Sequence, residues 1–181
     1  MPTALRTRSR RLAPTILTVL AGVVGYGAFA ANASALTQVT CNGLNAVTYA
    51  PPLTNTLKTT TITDQSTFDT CVSLTHPSIH TASIVNGTVT GPSSCTTVLG
   101  TFSTTNTITW NTGQTSVFSF NGYVNEVDGQ YVIVLLGSIT AGLFNGATAT
   151  EQTTLLGDLG ACAGAGLAYN SGPSVLTLVG L

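Results

Sequence analysis

Side chains that could carry out acid–base or metal chemistry are scarce, since only 6% of the 181 residues are charged and two are histidine. The histidines, His76 and His80, occur in the segment His-Pro-Ser-Ile-His. Two histidines four residues apart bind zinc when a helix places them on one face. Pro77 and the surrounding serine and threonine residues favour a loop instead, so we predict no metal site. A secreted hydrolase that uses one of these histidines stays open, because the members of a Ser/His/acid triad need not be adjacent in sequence.

Two pairs of carboxylates lie close together in sequence and could act as a glycosidase pair, which needs two acids at a set separation. They are Asp64 with Asp69, and Glu126 with Asp128. Asp128 is explained by an Asp-Gly turn, and Glu126 by the solvated face of a strand. Because no nucleophile, base and orienting group can be named together, we predict that the chain is not an enzyme and has no catalytic residue or cofactor.

The aromatic residues offer a possible binding surface. Trp110 is the only tryptophan, and together with Tyr123 and Tyr131 it could form an aromatic face, for example for sugar rings. The alternative is that Trp110 packs in the core beside a hairpin turn, as large aromatic side chains commonly do. Both interpretations stay open from the sequence.

The first 35 residues have the pattern of a secretory signal peptide. Residues 1–11 contain four arginines and no acid, an apolar run follows over residues 12–29, and Ala33-Ser34-Ala35 is a small-x-small cleavage pattern. A retained membrane anchor is the alternative. We predict a cleaved signal peptide and a single secreted domain over residues 36–181, extracellular or associated with the cell wall.

Removal of that segment would leave an acidic chain. Lys58 would be the only base against six acids, so the formal net charge of residues 36–181 is −5 with histidine neutral. The acids are Asp64, Asp69, Glu126, Asp128, Glu151 and Asp158. Binding to nucleic acid or to an anionic membrane surface needs clustered bases, so both classes of partner are excluded.

Runs of β-branched and aromatic residues separated by turn residues predict an all-β fold of consecutive antiparallel strands. Asp128-Gly129 predicts a two-residue hairpin turn, and Asn111-Thr112-Gly113 a three-residue loop with glycine in the left-handed region. Phe118, Phe120 and Val124 would share one strand face. Tyr131–Leu136 is apolar on both faces, which favours a strand covered on both sides and hence a sandwich or a barrel rather than a bare sheet. We therefore predict an antiparallel β-sandwich of about seven to nine strands, with an immunoglobulin-like arrangement as one form.

The four cysteines predict two disulfides, because an even number in an exported chain favours bridges. None has the close spacing of a zinc site. Three pairings are possible for Cys41, Cys71, Cys95 and Cys162, and a hairpin argument favours one of them. Cys41 and Cys71 lie about equally far from the predicted turn at Asn55-Thr56, so they would face each other at its open end. Cys95 would then pair with Cys162.

Several short motifs resemble landmarks of an uncharacterised family of small secreted β-proteins found widely in actinobacteria. They are Cys41-Asn42-Gly43, the segment Tyr-Ala-Pro-Pro-Leu-Thr over residues 49–54, Ile-Thr-Trp-Asn over 108–111, Gly-Ser-Ile-Thr-Ala-Gly-Leu-Phe over 137–144, and Ala161-Cys162. This resemblance implies no catalytic residue. The composition is also similar to that of the apoproteins of enediyne chromoproteins, which implies export, two disulfides and carriage of a small ligand.

These observations predict an exported, disulfide-bonded β domain that acts as a structural or interaction module toward an unknown extracellular or cell-surface partner. Strand-forming runs that are clearly separated by turn residues, together with few ionisable side chains, support this interpretation. A carrier of a small apolar ligand is the alternative, and a secreted hydrolase is the third class.

Overall fold

The structure, a computed structural model, describes residues 37–180, which form an antiparallel all-β fold with one short 3₁₀ helix at Leu159–Ala163. The strands are β1 (Thr37–Leu53), β2 (Lys58–Ser73), β3 (Ala82–Ser93), β4 (Gly100–Trp110), β5 (Thr115–Val127), β6 (Gln130–Gly142), β7 (Thr148–Leu155) and β8 (Leu167–Val179). Each strand pairs with its neighbour in sequence, and β8 pairs with β1, so the sheet closes into a barrel. The predicted signal peptide, residues 1–35, lies outside the described residues.

Closure of the sheet corrects the predicted sandwich. The antiparallel all-β class and the strand number are confirmed. However, β1 pairs with β2 on one side and with β8 on the other, and the β1–β8 ladder runs from Thr37↔Val179 to Leu53↔Leu167. One continuous sheet therefore surrounds the core, whereas an immunoglobulin-like sandwich needs two separate sheets. The alternation of apolar and polar residues is the same in both architectures, which is why it could not distinguish them.

The interior of the barrel also explains the apolar strand β6. Tyr131, Leu135 and Ile139 point into the barrel and are buried, whereas Leu136 on the other face is 44% exposed. The prediction of a covering layer on both faces is therefore wrong. In a closed barrel the inner face of each strand packs against the opposite wall, so no second layer is required.

The predicted hairpin turns are confirmed by their backbone angles. Asp128 and Gly129 both have positive φ, 49° and 75°, as a two-residue primed turn requires. Gly113 has a φ of 80° in the loop between β4 and β5. On the strand between these turns, Phe118 and Phe120 are both buried in the barrel, as the shared-face prediction requires.

Both disulfides predicted from the cysteine number are present. Cys41 is opposite Cys71 in the β1–β2 ladder and is bonded to it. Cys95, in the connection between β3 and β4, is bonded to Cys162 in the 3₁₀ helix. The second bridge attaches two segments that lie outside the ladders to each other.

The core has two apolar clusters inside the barrel. The first core cluster contains the Cys41–Cys71 bridge together with Phe68, Trp110 and Phe118. The second core cluster contains the Cys95–Cys162 bridge together with Tyr49, Leu53, Tyr131 and Leu155. No helix within residues 37–180 is long and apolar enough to cross a membrane.

Candidate functional site

A cavity of about 510 Å³ lies inside the barrel and is lined by members of both core clusters. It exists because β3 and β4 are paired over only three positions, from Ala82↔Trp110 to Ile84↔Ile108. Beyond this point β3 continues along β2 as far as Ser93, and β4 continues along β5 as far as Gly100. The two strands diverge, so the barrel wall has a lateral opening, which we call the mouth.

A bulge in β3 shapes one side of the mouth. The β2–β3 register shifts between Thr63 and Gln65, opposite Asn86-Gly87, and Gly87 has a φ of 79° that favours glycine. The bulge changes which residues face inward. Val89 consequently lies opposite Ile62 and lines the cavity, yet it is 68% exposed because no strand pairs with β3 on its other side.

An aromatic side chain forms the other side of the mouth. Phe102 lies opposite Gly122 in the β4–β5 ladder, and a Cβ atom at Gly122 would collide with the Phe102 ring. The missing side chain therefore lets the ring fold across β5, where it meets Phe120 edge-on with ring centroids 6.1 Å apart. Deeper in the cavity the wall is formed by aliphatic and aromatic residues: Val47, Tyr49, Val124, Tyr131, Ile133, Leu135 and Leu155.

One carboxylate lines the cavity. Asp64 is inward-facing on β2 and accepts a hydrogen bond of 2.5 Å from the amide nitrogen of Asn45. Burial raises the pKa of Asp64, while the amides of Asn45 and Asn86 act in the opposite direction. Asn106 also lines the cavity, and its amide nitrogen donates to the side-chain oxygen of Asn86.

A second carboxylate lies behind Asp64 in a fully buried hydrogen-bond network. Glu151 is 2% exposed, and its Oε1 accepts hydrogen bonds from Ser66 at 2.6 Å and Ser174 at 3.0 Å. The Asn45 amide nitrogen donates to Ser66 Oγ at 2.9 Å and so connects both acids. Burial raises the pKa of Glu151 to about 7; the serine hydrogen bonds lower it, and the charge of Asp64 adds to the rise. We call Asn45, Asp64, Ser66, Glu151 and Ser174 the polar belt.

Two polar atoms of the polar belt have no hydrogen-bond partner within the described part of the chain. Glu151 Oε2 and Asn45 Oδ1 are buried and have no hydrogen-bond partner among residues 37–180. An unpaired buried polar atom costs on the order of 1–3 kcal/mol. Asn45 Oδ1 can only accept a hydrogen bond, whereas Glu151 Oε2 accepts when the carboxyl is ionised and donates when it holds the proton that its raised pKa favours.

The three aromatic residues of the predicted binding face do not come together. Trp110 is buried in the first core cluster, and its Nε1 donates to Ser116 Oγ at 2.8 Å. Tyr123 is exposed on the outside of β5. Tyr131 belongs to the second core cluster and donates its hydroxyl to the Cys95 carbonyl at 2.8 Å. Of the three, only Tyr131 lines the cavity, because its side chain is on the inner face of the sheet whereas that of Tyr123 is on the outer face.

The histidines and the acid pairs are also separate from the cavity, apart from Asp64. His76 and His80 lie in the β2–β3 loop, and the His76 ring meets Phe144 edge-on at 4.8 Å. Asp69 is exposed, whereas Asp64 faces inward, so the two do not act as a pair. Across residues 37–180, no three histidine, cysteine, aspartate or glutamate side chains are grouped to hold a metal ion.

The alternation of inward-facing and outward-facing positions along a strand is the signal in the sequence that could identify the polar belt. Glu151 alternates in step with Ala149, Thr153 and Leu155, all of which are buried. Asp64 likewise lies in phase with the buried Phe68. From the sequence, Asp64 was considered only as a partner of Asp69 and Glu151 was counted only in the net charge, and charged residues are in general rarely buried.

No protein-family model matches the chain, and neither a curated protein nor a solved structure matches it. The function must therefore be inferred from the chemistry of the cavity.

Proposed function

We propose that this domain is an exported carrier that holds a small, largely apolar molecule inside its barrel. The observation that supports the proposal is the cavity of about 510 Å³, which has aliphatic and aromatic walls and opens between β3 and β4. Small-molecule sites usually have volumes of roughly 300–1,000 Å³, apolar walls and a few polar groups that orient the ligand. The cavity meets all three conditions.

The wall of the cavity is preorganised. Apart from the short β3–β4 ladder, neighbouring strands are joined by ladders of six or more residue pairs, and the two disulfides lie in the two core clusters. A ligand would therefore gain from burial of its apolar surface, at roughly 0.8 kcal/mol for each methylene group, with little cost for ordering the protein. Disulfides persist in oxidising compartments, which agrees with export of the domain.

The interaction module toward an extracellular or cell-surface partner, which the sequence favoured, stays a prediction. The same holds for the resemblance to the secreted actinobacterial family. The carrier is preferred because an apolar cavity inside the barrel is a specific feature, whereas single apolar residues on a surface are common in soluble proteins.

The proposal is tested by obstructing the mouth without disturbing the core. Val89→Trp places a large ring at the mouth, while Val85→Trp makes the same change on the outer face of the same strand. The two valines are exposed to a similar degree, 68% and 65%, so they are matched in solvent exposure. Each titration would use the neutral probe N-phenylnaphthylamine, whose fluorescence rises in an apolar environment.

We expect saturable binding to the unmodified protein and to Val85→Trp, and affinity reduced by about tenfold or more in Val89→Trp. Circular dichroism and urea unfolding would verify that both variants are folded. Binding that is equally strong in both tryptophan variants would contradict a cavity entered through the mouth. Absence of binding to the unmodified protein would contradict the carrier function itself.

A further inference from the structure

The charged side chains around the cavity are of one sign. Asp64 is the only charged residue among those that line it. Lys58, the single lysine or arginine in residues 37–180, lies six residues away along β2, a distance of roughly 20 Å at the rise of an extended strand. The second acid of the interior, Glu151, is connected to Asp64 through Ser66 and Asn45. Any charge preference of the cavity is therefore for cations.

The hydrogen-bond balance leads to the same preference. The Asn45 amide nitrogen is already used by Asp64 and Ser66, and the Asn106 amide nitrogen is used by Asn86. These amide donors are therefore used within the protein, while the Asp64 carboxylate lines the cavity as an acceptor. A ligand group with several N–H donors suits this environment, whereas a carboxylate offers only further acceptors.

The aromatic residues around Asp64 add a third argument. Tyr49, Phe102, Phe120 and Tyr131 line the cavity, and the Phe102 and Phe120 rings are perpendicular. Aromatic faces attract ammonium groups through the ring quadrupole, and this attraction strengthens when water is excluded. The same rings provide apolar area for the remainder of the ligand.

We propose that the ligand is an amphiphilic amine, whose ammonium group donates hydrogen bonds to the Asp64 carboxylate while its apolar part fills the cavity toward Val124 and Leu155. This inference rests on the proposed carrier function and specifies its ligand class. It excludes fatty acids and other apolar anions, because their carboxylate would lie beside Asp64 without any base in the lining to compensate it.

The test compares three probes that share one chain and differ only in the head group: octylamine, octanol and octanoate. Isothermal titration calorimetry at neutral pH would measure each probe against the unmodified protein, Asp64→Asn and Asp69→Asn. Asp64→Asn preserves the shape of the side chain and removes its charge. Asp69→Asn makes the same charge change at an exposed position of the same strand.

We expect octylamine to bind at least about tenfold more tightly than octanol, since hydrogen bonds to charged groups are stronger than neutral ones, and octanoate to bind most weakly. Asp64→Asn should reduce the affinity for octylamine to that for octanol and leave octanol binding nearly unchanged. Asp69→Asn should leave the ranking of the three probes unchanged.

Two kinds of failure are distinguishable. If none of the three probes binds, the carrier function falls, and the inference falls with it. If octanol or octanoate binds as tightly as octylamine, or if Asp64→Asn keeps the preference for the amine, only the amine inference is overturned. Should Asp64→Asn fail to fold, the ranking of the three head groups on the unmodified protein decides the question alone.

Discussion

Glu151 should make the stability of this domain fall as the pH rises, and Glu151→Gln should remove that dependence. The side chain is 2% exposed, and its Oε1 accepts hydrogen bonds from Ser66 and Ser174. Glutamine retains an oxygen for these two hydroxyls and carries no charge at any pH. The substitution therefore isolates the ionisation of the carboxyl from its packing.

The magnitude follows from the pKa of Glu151, which burial raises from 4.5 to about 7. Between these two values the folded state holds a proton that the unfolded state has released. The stabilising contribution is thus complete below the unfolded pKa of 4.5 and is lost as the pH rises through the folded pKa. At 1.36 kcal/mol per pKa unit, the loss between about pH 4.5 and about pH 8 is roughly 3 kcal/mol.

Urea unfolding at these two pH values would measure the effect. We expect the unfolding free energy of the unmodified protein to fall by about 3 kcal/mol more between the lower and the higher pH than that of Glu151→Gln. Glu126→Gln, at an exposed position of β5, is the matched control and should leave the difference unchanged. The same pH dependence in Glu151→Gln and in the unmodified protein would refute the reasoning, because the carboxyl would then not be responsible.

Two further substitutions test how the barrel is held together. Gly137→Ala should destabilise the domain by about 3 kcal/mol in urea unfolding, because the new Cβ would lie within the backbone at Ser119. Gly91→Ala is the control, because no atom lies near the new Cβ at that position. Equal losses of unfolding free energy in the two variants would contradict the close contact between Gly137 and the backbone of Ser119. Replacing Cys95 and Cys162 together by alanine should cost about 4 kcal/mol, since their bridge spans 67 residues; a loss well below 1 kcal/mol would show that the bridge does not constrain the unfolded chain.

Local features of this fold were predictable because a few adjacent residues determine them. Asp128-Gly129 requires two residues that tolerate positive φ, and its flanking strands follow from that turn. The pairing of Cys41 with Cys71 followed from their equal distance to one hairpin turn. In each case the chemistry of a short segment is sufficient.

The closure of the barrel and its cavity depend on contacts between distant segments. Nothing in the alternation of β1 or β8 indicates that the first strand pairs with the last. An Asn-Gly dipeptide such as Asn86-Gly87 is typical of a turn or a bulge, but the mouth also requires that β4 leaves β3 beyond Ile84. The inward position of Asp64 was hidden for a different reason, since a charged residue is normally assigned to the solvent face.

The central claim is that an apolar ligand binds inside the barrel, and nuclear Overhauser effects between octanol and the methyl groups of isotope-labelled protein test it most directly. Octanol is used because its binding does not depend on the amine inference. We expect contacts from the octyl chain to Val47, Val124 and Leu155, which line the cavity. Contacts confined to exposed methyl groups such as those of Leu44 and Val72 would contradict it.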